Sequence, residues 1–381
     1  MQNIKIYIKH LLLLGITLVT TTLAGAQWMN LQVFDFQSWG ELWRGNFTFH
    51  ADNFWKAHHY SLPFLFILTV HEFGHYFTAR YYKLKVTLPF YMPLWLGNTG
   101  ITIGTLGAYI RIKSPFPSRK SYFDVGIAGP LAGFVAALGV LFYGFTHLPP
   151  PEFIFTIHPE YQQYGLDYAH HVYQSLPPNT GLMMGTNLVF EFFKTYIADP
   201  ERLPNPYEIM HYPYLMAGYW ALFFTALNLI PIGQLDGGHI LYGLIGAKKH
   251  RKVTFVLFLG FMTYSGLGLF SPQDDWEWLK WSPVYVWFLY VCFLKAVPHW
   301  KWSVLIAVSI FGIQFGISWL FPDAIGFQGW LIFGLILGRF LGIYHPVAPL
   351  EVPLDRKRQI LGWLALIIFI LCFTPFPVRV V

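Results

Sequence analysis

His71-Glu72-Phe73-Gly74-His75 lies inside an apolar run, and between Ser61 and Ala79 the sole formally charged residue is Glu72. A carboxylate held mid-helix in an apolar medium is costly unless something pairs with it or hydrates it. The flanking histidines supply the reason. They are four residues apart, so on a helix they share a face and both offer a ring nitrogen to one ion. Glu72, about 100° around by the helical period, stands beside that ion without being forced to ligate it. The alternative, a pair of core histidines bonded to carbonyls with Glu72 facing a polar crevice, is the weaker reading. Gly74 suits a close approach by another backbone or a substrate, and equally suits simple helix packing.

Working outward, the whole chain fits this setting. Of 381 residues 55% are hydrophobic and 12% charged, about half the charge of a soluble domain, which places it among polytopic membrane proteins. Apolar stretches fall at 10–26, 60–82, 122–147, 214–246, 252–270, 283–298, 302–320, 327–344 and 359–376. The expectation is therefore an all-α membrane protein with about eight or nine transmembrane helices, 283–298 being the weakest because it is short and carries Lys295. If all nine cross, the basic clusters Lys5/Lys9, Arg80–Lys120, Lys248–Lys252, Lys301 and Arg356–Arg358 fall on one side. That pattern explains the net charge of +6 better than nucleic-acid binding, which is not expected. The stretch ending Leu23-Ala24-Gly25-Ala26 reads either as a retained anchor or as a cleaved signal peptide.

Residues 83–121 differ. Glycines interleave with β-branched residues from Gly100 to Ile110, with prolines at 89, 93, 115 and 117, and this reads as short strands or a hairpin after the motif helix. Residues 149–212 form a polar, Tyr-rich outer loop. The two cysteines, Cys292 and Cys372, each sit in an apolar run, so a metal must be held by histidine and carboxylate.

Two histidines leave zinc one protein ligand short if its fourth position stays open for water. From Tyr214 to Ala247 the sole formal charge is Asp236, in Asn228-Leu229-Ile230-Pro231-Ile232-Gly233-Gln234-Leu235-Asp236-Gly237-Gly238-His239. Pro231, Gly233 and the Gly237-Gly238 pair break a helix, and broken backbone at membrane depth is tolerated where it lines a buried or watery cavity. Asp236 is thus the candidate third ligand, its alternative being a capping or salt-bridge role. His239 is read as packing or supporting rather than as a spare ligand, and His58 and His59 are left unassigned.

With both motifs in view, the chain resembles the site-2 protease family of intramembrane zinc metalloproteases. His71, Glu72 and His75 match its HExxH helix. Asn228, Pro231, Leu235, Asp236 and Gly237 match its Asn-x-x-Pro…Leu-Asp-Gly segment, and Asp124-Val125-Gly126-Ile127-Ala128-Gly129-Pro130-Leu131-Ala132-Gly133 looks like the small-residue helix between them. The resemblance implies one Zn2+ held by His71, His75 and Asp236, with Glu72 as general base. Asn228 would stabilise the oxyanion, though an asparagine in a span also serves to bridge helices. It implies a membrane-spanning protein as substrate, a bilayer as surroundings and a bacterial inner membrane as location; oligomeric state is not readable. No PDZ insertion or nucleotide-sensing domain is visible. The chain divides as an N-terminal anchor and outer loop (1–54), a catalytic core (55–250) and C-terminal spans (251–381). A transporter would spread its acids along a pathway, whereas here they gather at one cluster.

Overall fold

The computed structural model describes residues 2–35, 40, 44–97, 102–174, 177 and 181–380. Among these the chain is mostly helical, with three two-stranded antiparallel sheets. Each expected apolar stretch coincides with helix. Lys5–Trp28, Arg119–Thr146 and Trp300–Leu320 are long and apolar enough to cross a membrane by length and composition. The count of eight or nine crossings goes beyond this. The helix Ser282–Phe293 has 12 residues, about 18 Å at 1.5 Å per residue against a hydrocarbon thickness of about 30 Å.

Two boundaries depart from the sequence reading. The stretch 214–246 is not one span: a helix Pro213–Leu229 ends, irregular backbone follows, and a new helix starts at Asp236. That helix breaks at Gly246 (φ 75°, ψ 167°), as the end of the apolar stretch at 246 predicts, and a further helix runs from there to Ser265, so the basic residues Lys248 to Lys252 sit in its first turns rather than in a loop. Lys and Arg are good helix formers, and Gly246 ends the preceding helix in an extended, positive-φ conformation open essentially to glycine alone.

Two compact units make up the fold. The first comprises residues 1–115, 128–227 and 370–381. In it the helix Gln2–Trp28 packs on the strand Phe90–Pro93 and on the motif helix His58–Tyr81. Polar pins fix the fit: Thr22 and Ser61 hydroxyls lie 2.8 Å apart, Trp28 Nε1 donates to the Thr102 carbonyl at 3.0 Å, and Tyr60 OH to that of Ile103 at 3.0 Å. The expected hairpin is present, pairing Phe90–Pro93 with Thr105–Tyr109 through an irregularity between Tyr91 and Pro93. Gly100 and Ile101, where the predicted strand segment begins, lie outside the described residues. Gly104 (φ +93°) rests against the first helix so closely that a Cβ would lie 2.3 Å from the Thr21 Cα. The outer segment gains a strand absent from the sequence reading, Leu182–Met184, paired with Val378–Val380. The helix Leu188–Tyr196 follows it.

The second unit comprises 116–127 and 228–369. Phe123, Tyr242, Phe258, Leu289, Cys292, Phe293 and Leu337 fill its core. Arg358 donates two hydrogen bonds to Asp124, at 2.7 and 2.8 Å, a bidentate pair that fixes position as well as charge. Val304, Leu305, Val308 and Ile313 on Trp300–Leu320 are exposed, as are Trp300 and Trp302 at its start, so this candidate span has an apolar outer face and an aromatic end.

Asn187 is buried, its side chain accepts from Phe190 N at 3.0 Å to cap Leu188–Tyr196, and its amide donates to Thr374 at 3.2 Å. Asn187→Ala is expected to destabilise the first unit by about 1–2 kcal/mol, the upper range for a lost cap, read as a lowered Tm in detergent.

Candidate metal centre

The motif helix His58–Tyr81 carries His71, Glu72 and His75, all buried. Their four-residue spacing brings the two imidazoles together as the sequence predicts: the Nε2 atoms lie 3.1 Å apart, with the rings edge-to-face. The edge of a tetrahedron of nitrogen ligands at 2.0–2.1 Å from zinc is about 3.3 Å, so the pair is spaced to share an ion. Glu72 Oε1 lies 4.0 Å from His71 Nε2, adjacent to that pair.

Room for these rings comes from the helix Arg119–Thr146. A Cβ on Gly129 would lie 2.1 Å from His75 Nε2, and one on Gly133 3.0 Å from His71 Cβ. Gly74 faces the same helix, where a Cβ would meet the Ala128 carbonyl oxygen at 2.6 Å. The small-residue run is therefore packing, as its sequence suggests, and it packs against the motif itself. The approach that Gly74 permits is that of a neighbouring backbone.

Tyr91, which the sequence did not single out, adds a neighbour. Thr69 Oγ1 donates to the Leu65 carbonyl at 2.6 Å and so accepts from Tyr91 OH at 2.7 Å, two residues before His71. Burial raises the Tyr91 pKa, and the Glu72 carboxylate adds to the rise. The tyrosine therefore stays a neutral donor beside the motif. Its only sequence signal was an aromatic in a predicted strand.

Asp236 and Asn228 belong to the second unit. Asn228 occupies the last turn of Pro213–Leu229, and Asp236 is the first residue of the next helix, Leu235 holding the cap position. Between them the backbone doubles back, with Ile232 N donating to the Ile230 carbonyl at 2.7 Å and Gly233 at φ 65°. A Cβ on Gly237 would lie 2.0 Å from the Leu229 carbonyl oxygen, so the break is built on glycine. A carboxylate in the first turn is favoured by the helix dipole. His239, one turn on, is engaged with His345, Nδ1 to Nε2 at 2.6 Å, and stacks on Tyr122. That agrees with a packing role. His58 and His59 bond the carbonyls of Phe54 and Lys56 at the helix start.

The family model for peptidase family M50 matches residues 59–267, which include both motifs. The chain belongs to peptidase family M50. The rice (Oryza sativa subsp. japonica) protein "Probable zinc metalloprotease EGY1, chloroplastic" is 31% identical over 205 residues, 54% of this chain and 30% of its own length. Its namesake from Arabidopsis thaliana is 30% identical over 205 residues, 53% of this chain and 31% of its own. "Probable zinc metalloprotease EGY2, chloroplastic" of Arabidopsis thaliana is 28% identical over 194 residues, 49% of this chain and 29% of its own. The chain thus spans less than a third of the length of these relatives. No solved structure matches it. These relatives are plant chloroplast proteins by name, and they give no support to the bacterial inner membrane expected from the sequence.

For this M50 chain the glycine contacts make a sharp prediction. Gly129→Ala should displace His75, a clash that costs about 1–3 kcal/mol in a packed core, and lower the zinc bound at the motif. Gly139→Ala, on the same helix with nothing within 4 Å, should leave it unchanged. Metal analysis of the two purified variants reads the difference.

Proposed function

We propose that this protein is a zinc-dependent endopeptidase that works within a membrane, cutting peptide bonds in or near the transmembrane segments of other membrane proteins. The observation that carries the proposal is the buried pair of imidazole nitrogens 3.1 Å apart with a carboxylate beside them, inside the region that the M50 model matches. The names of the relatives support a zinc protease.

In this reading His71, His75 and Asp236 hold one zinc ion per chain. The donor set suits the metal: two neutral imidazoles and a carboxylate, with the fourth position left for water. When bound, zinc lowers the pKa of its water toward neutrality and polarises the scissile carbonyl. Glu72 takes the proton from the attacking water and delivers it to the departing amide nitrogen. Hydroxyl adds to the carbonyl carbon first, and the C–N bond breaks afterwards as the nitrogen takes that proton, so the products are a carboxylic acid and a free amine. Asn228, at the end of its helix, donates its side-chain amide to the developing oxyanion. Burial of the motif raises the strength of each of these interactions by excluding water.

A transmembrane substrate hides its backbone in helical hydrogen bonds and must unwind before a carbonyl can be attacked. The hairpin Phe90–Pro93 with Thr105–Tyr109 offers the substrate strand pairing, main chain to main chain. Residues 55–250 form the catalytic core, 1–54 an anchor and outer loop, and 251–381 further spans, with eight or nine crossings and, where all nine cross, the basic clusters on one side.

In detergent with a single-span test substrate, Glu72→Gln should keep its zinc while its cleavage rate falls by about 10²–10⁴-fold, the usual size of a general-base contribution. Asp236→Ala should lose both metal and activity. Normal cleavage by Glu72→Gln, or a wild type that takes up no zinc, sinks the mechanism. Asn228→Ala is expected to cost about 10²-fold in kcat with zinc unchanged, as loss of one oxyanion donor does elsewhere.

A further inference from the structure

A second cluster of metal-type donors lies in the first unit, in the outer segment 149–212, and the peptidase chemistry makes no use of it. His158 precedes the turn Pro159–Asp167, and Glu208 precedes the turn Ile209–His211. These short turns bring His158, Glu208 and His211 within reach of a single ion.

The hydrogen bonds around the cluster fix what each ring presents to it. His211 Nδ1 lies 2.7 Å from the Trp28 carbonyl oxygen. A carbonyl only accepts, so Nδ1 carries the proton and Nε2 of the neutral ring is left as a lone pair. His158 Nδ1 lies 2.9 Å from Glu160 Oε1, and against an ionised carboxylate the same logic applies. The two Nε2 atoms then face each other at 3.2 Å. Glu208 Oε2 stands 3.2 Å from one and 3.8 Å from the other. With both rings neutral, three acceptors converge on one point with no hydrogen between them. Glu208 is only 2% exposed, and its other oxygen, Oε1, has no hydrogen-bond partner among the described residues. A buried carboxylate in that position requires a positive charge.

We propose that His158, Glu208 and His211 form a second divalent-metal site, of the kind that takes zinc. Two imidazoles and one carboxylate are borderline donors suited to that ion, and separations of 3.2, 3.2 and 3.8 Å bracket the edge of about 3.3 Å of a tetrahedral zinc shell. The Trp28 carbonyl and the Glu160 carboxylate hold the rings from outside, the arrangement that orients metal-bound histidines generally. Because Trp28 ends the helix Gln2–Trp28, the ion joins the outer segment to that helix and would act as a structural clasp.

The test is zinc content of the full chain in detergent, stripped with chelator and dialysed against zinc. Wild type is expected to hold about two ions, and the His71→Ala/His75→Ala variant about one, with three protein ligands and one open position at each site. Adding His158→Ala, a partly exposed residue whose loss leaves the core intact, should remove that last ion. Adding the isosteric Glu208→Gln instead should weaken it by at least about tenfold, within the range of a lost charged partner. Zinc should also raise the Tm of the His71→Ala/His75→Ala variant, and His158→Ala should abolish that shift. If wild type holds one ion and His71→Ala/His75→Ala none, the pair His158–His211 shares a proton instead and the second site is refuted while the motif assignment stands. If wild type and His71→Ala/His75→Ala both hold one ion that His158→Ala removes, the second site stands and the motif assignment falls.

Discussion

Everything at the motif depends on how closely one helix backbone approaches another. The motif helix meets Arg119–Thr146 at Gly74, Gly129 and Gly133 with no space for a methyl group, and His75 Nε2 occupies the place that a Cβ on Gly129 would take. Side chains this confined lose their rotamer freedom on folding rather than on binding, which is the sense in which a site is preorganised. A glycine costs about 1 kcal/mol relative to alanine in a helix interior. Here that cost is offset by dispersion between the closely packed backbones, which also fixes the two imidazoles in place.

The same economy governs the second unit, where the chain breaks rather than thins. Pro231 removes a donor, Gly233 takes a left-handed conformation, and Gly237 lets the new helix start against the end of the old one. The result presents Asn228 at a helix end and Asp236 at a helix start. Helix ends carry unsatisfied carbonyls and N–H groups, and polar chemistry is cheapest to install there.

Most of the candidate site was legible because it consists of exceptions. A lone glutamate in one apolar run and a lone aspartate in another announce themselves against a uniform background, and the glycine run between them has no other plausible use than packing. The hairpin was legible for a similar reason, since alternation and glycine replaced the helical pattern. Hydropathy is blind to what happens within an apolar stretch, so the division of 214–246 into two helices left its trace in Pro231 and Gly233 and not in the profile. Gly246 and its basic neighbours looked like a loop because charge clusters usually are; the backbone does break at Gly246, but the basic residues open the next helix. Least legible were the partners distant in sequence: Tyr91 against Thr69, His158 against His211, and Leu182–Met184 against Val378–Val380. Local pattern holds no information about them.

That last pairing bears on the order of assembly. Leu182 pairs with Val380, and the first unit takes its final piece from residues 370–381 while the stretch 228–369 belongs to the other unit. Long-range closure adds little to the equilibrium cost, because loop entropy grows only with the logarithm of length, yet it slows folding markedly. On the ribosome the first unit must wait, with its sheet half made, for a long hydrophobic stretch to be synthesised. Over that interval the edge of Leu182–Met184 has no strand partner from residues 378–380 and is open to other strands.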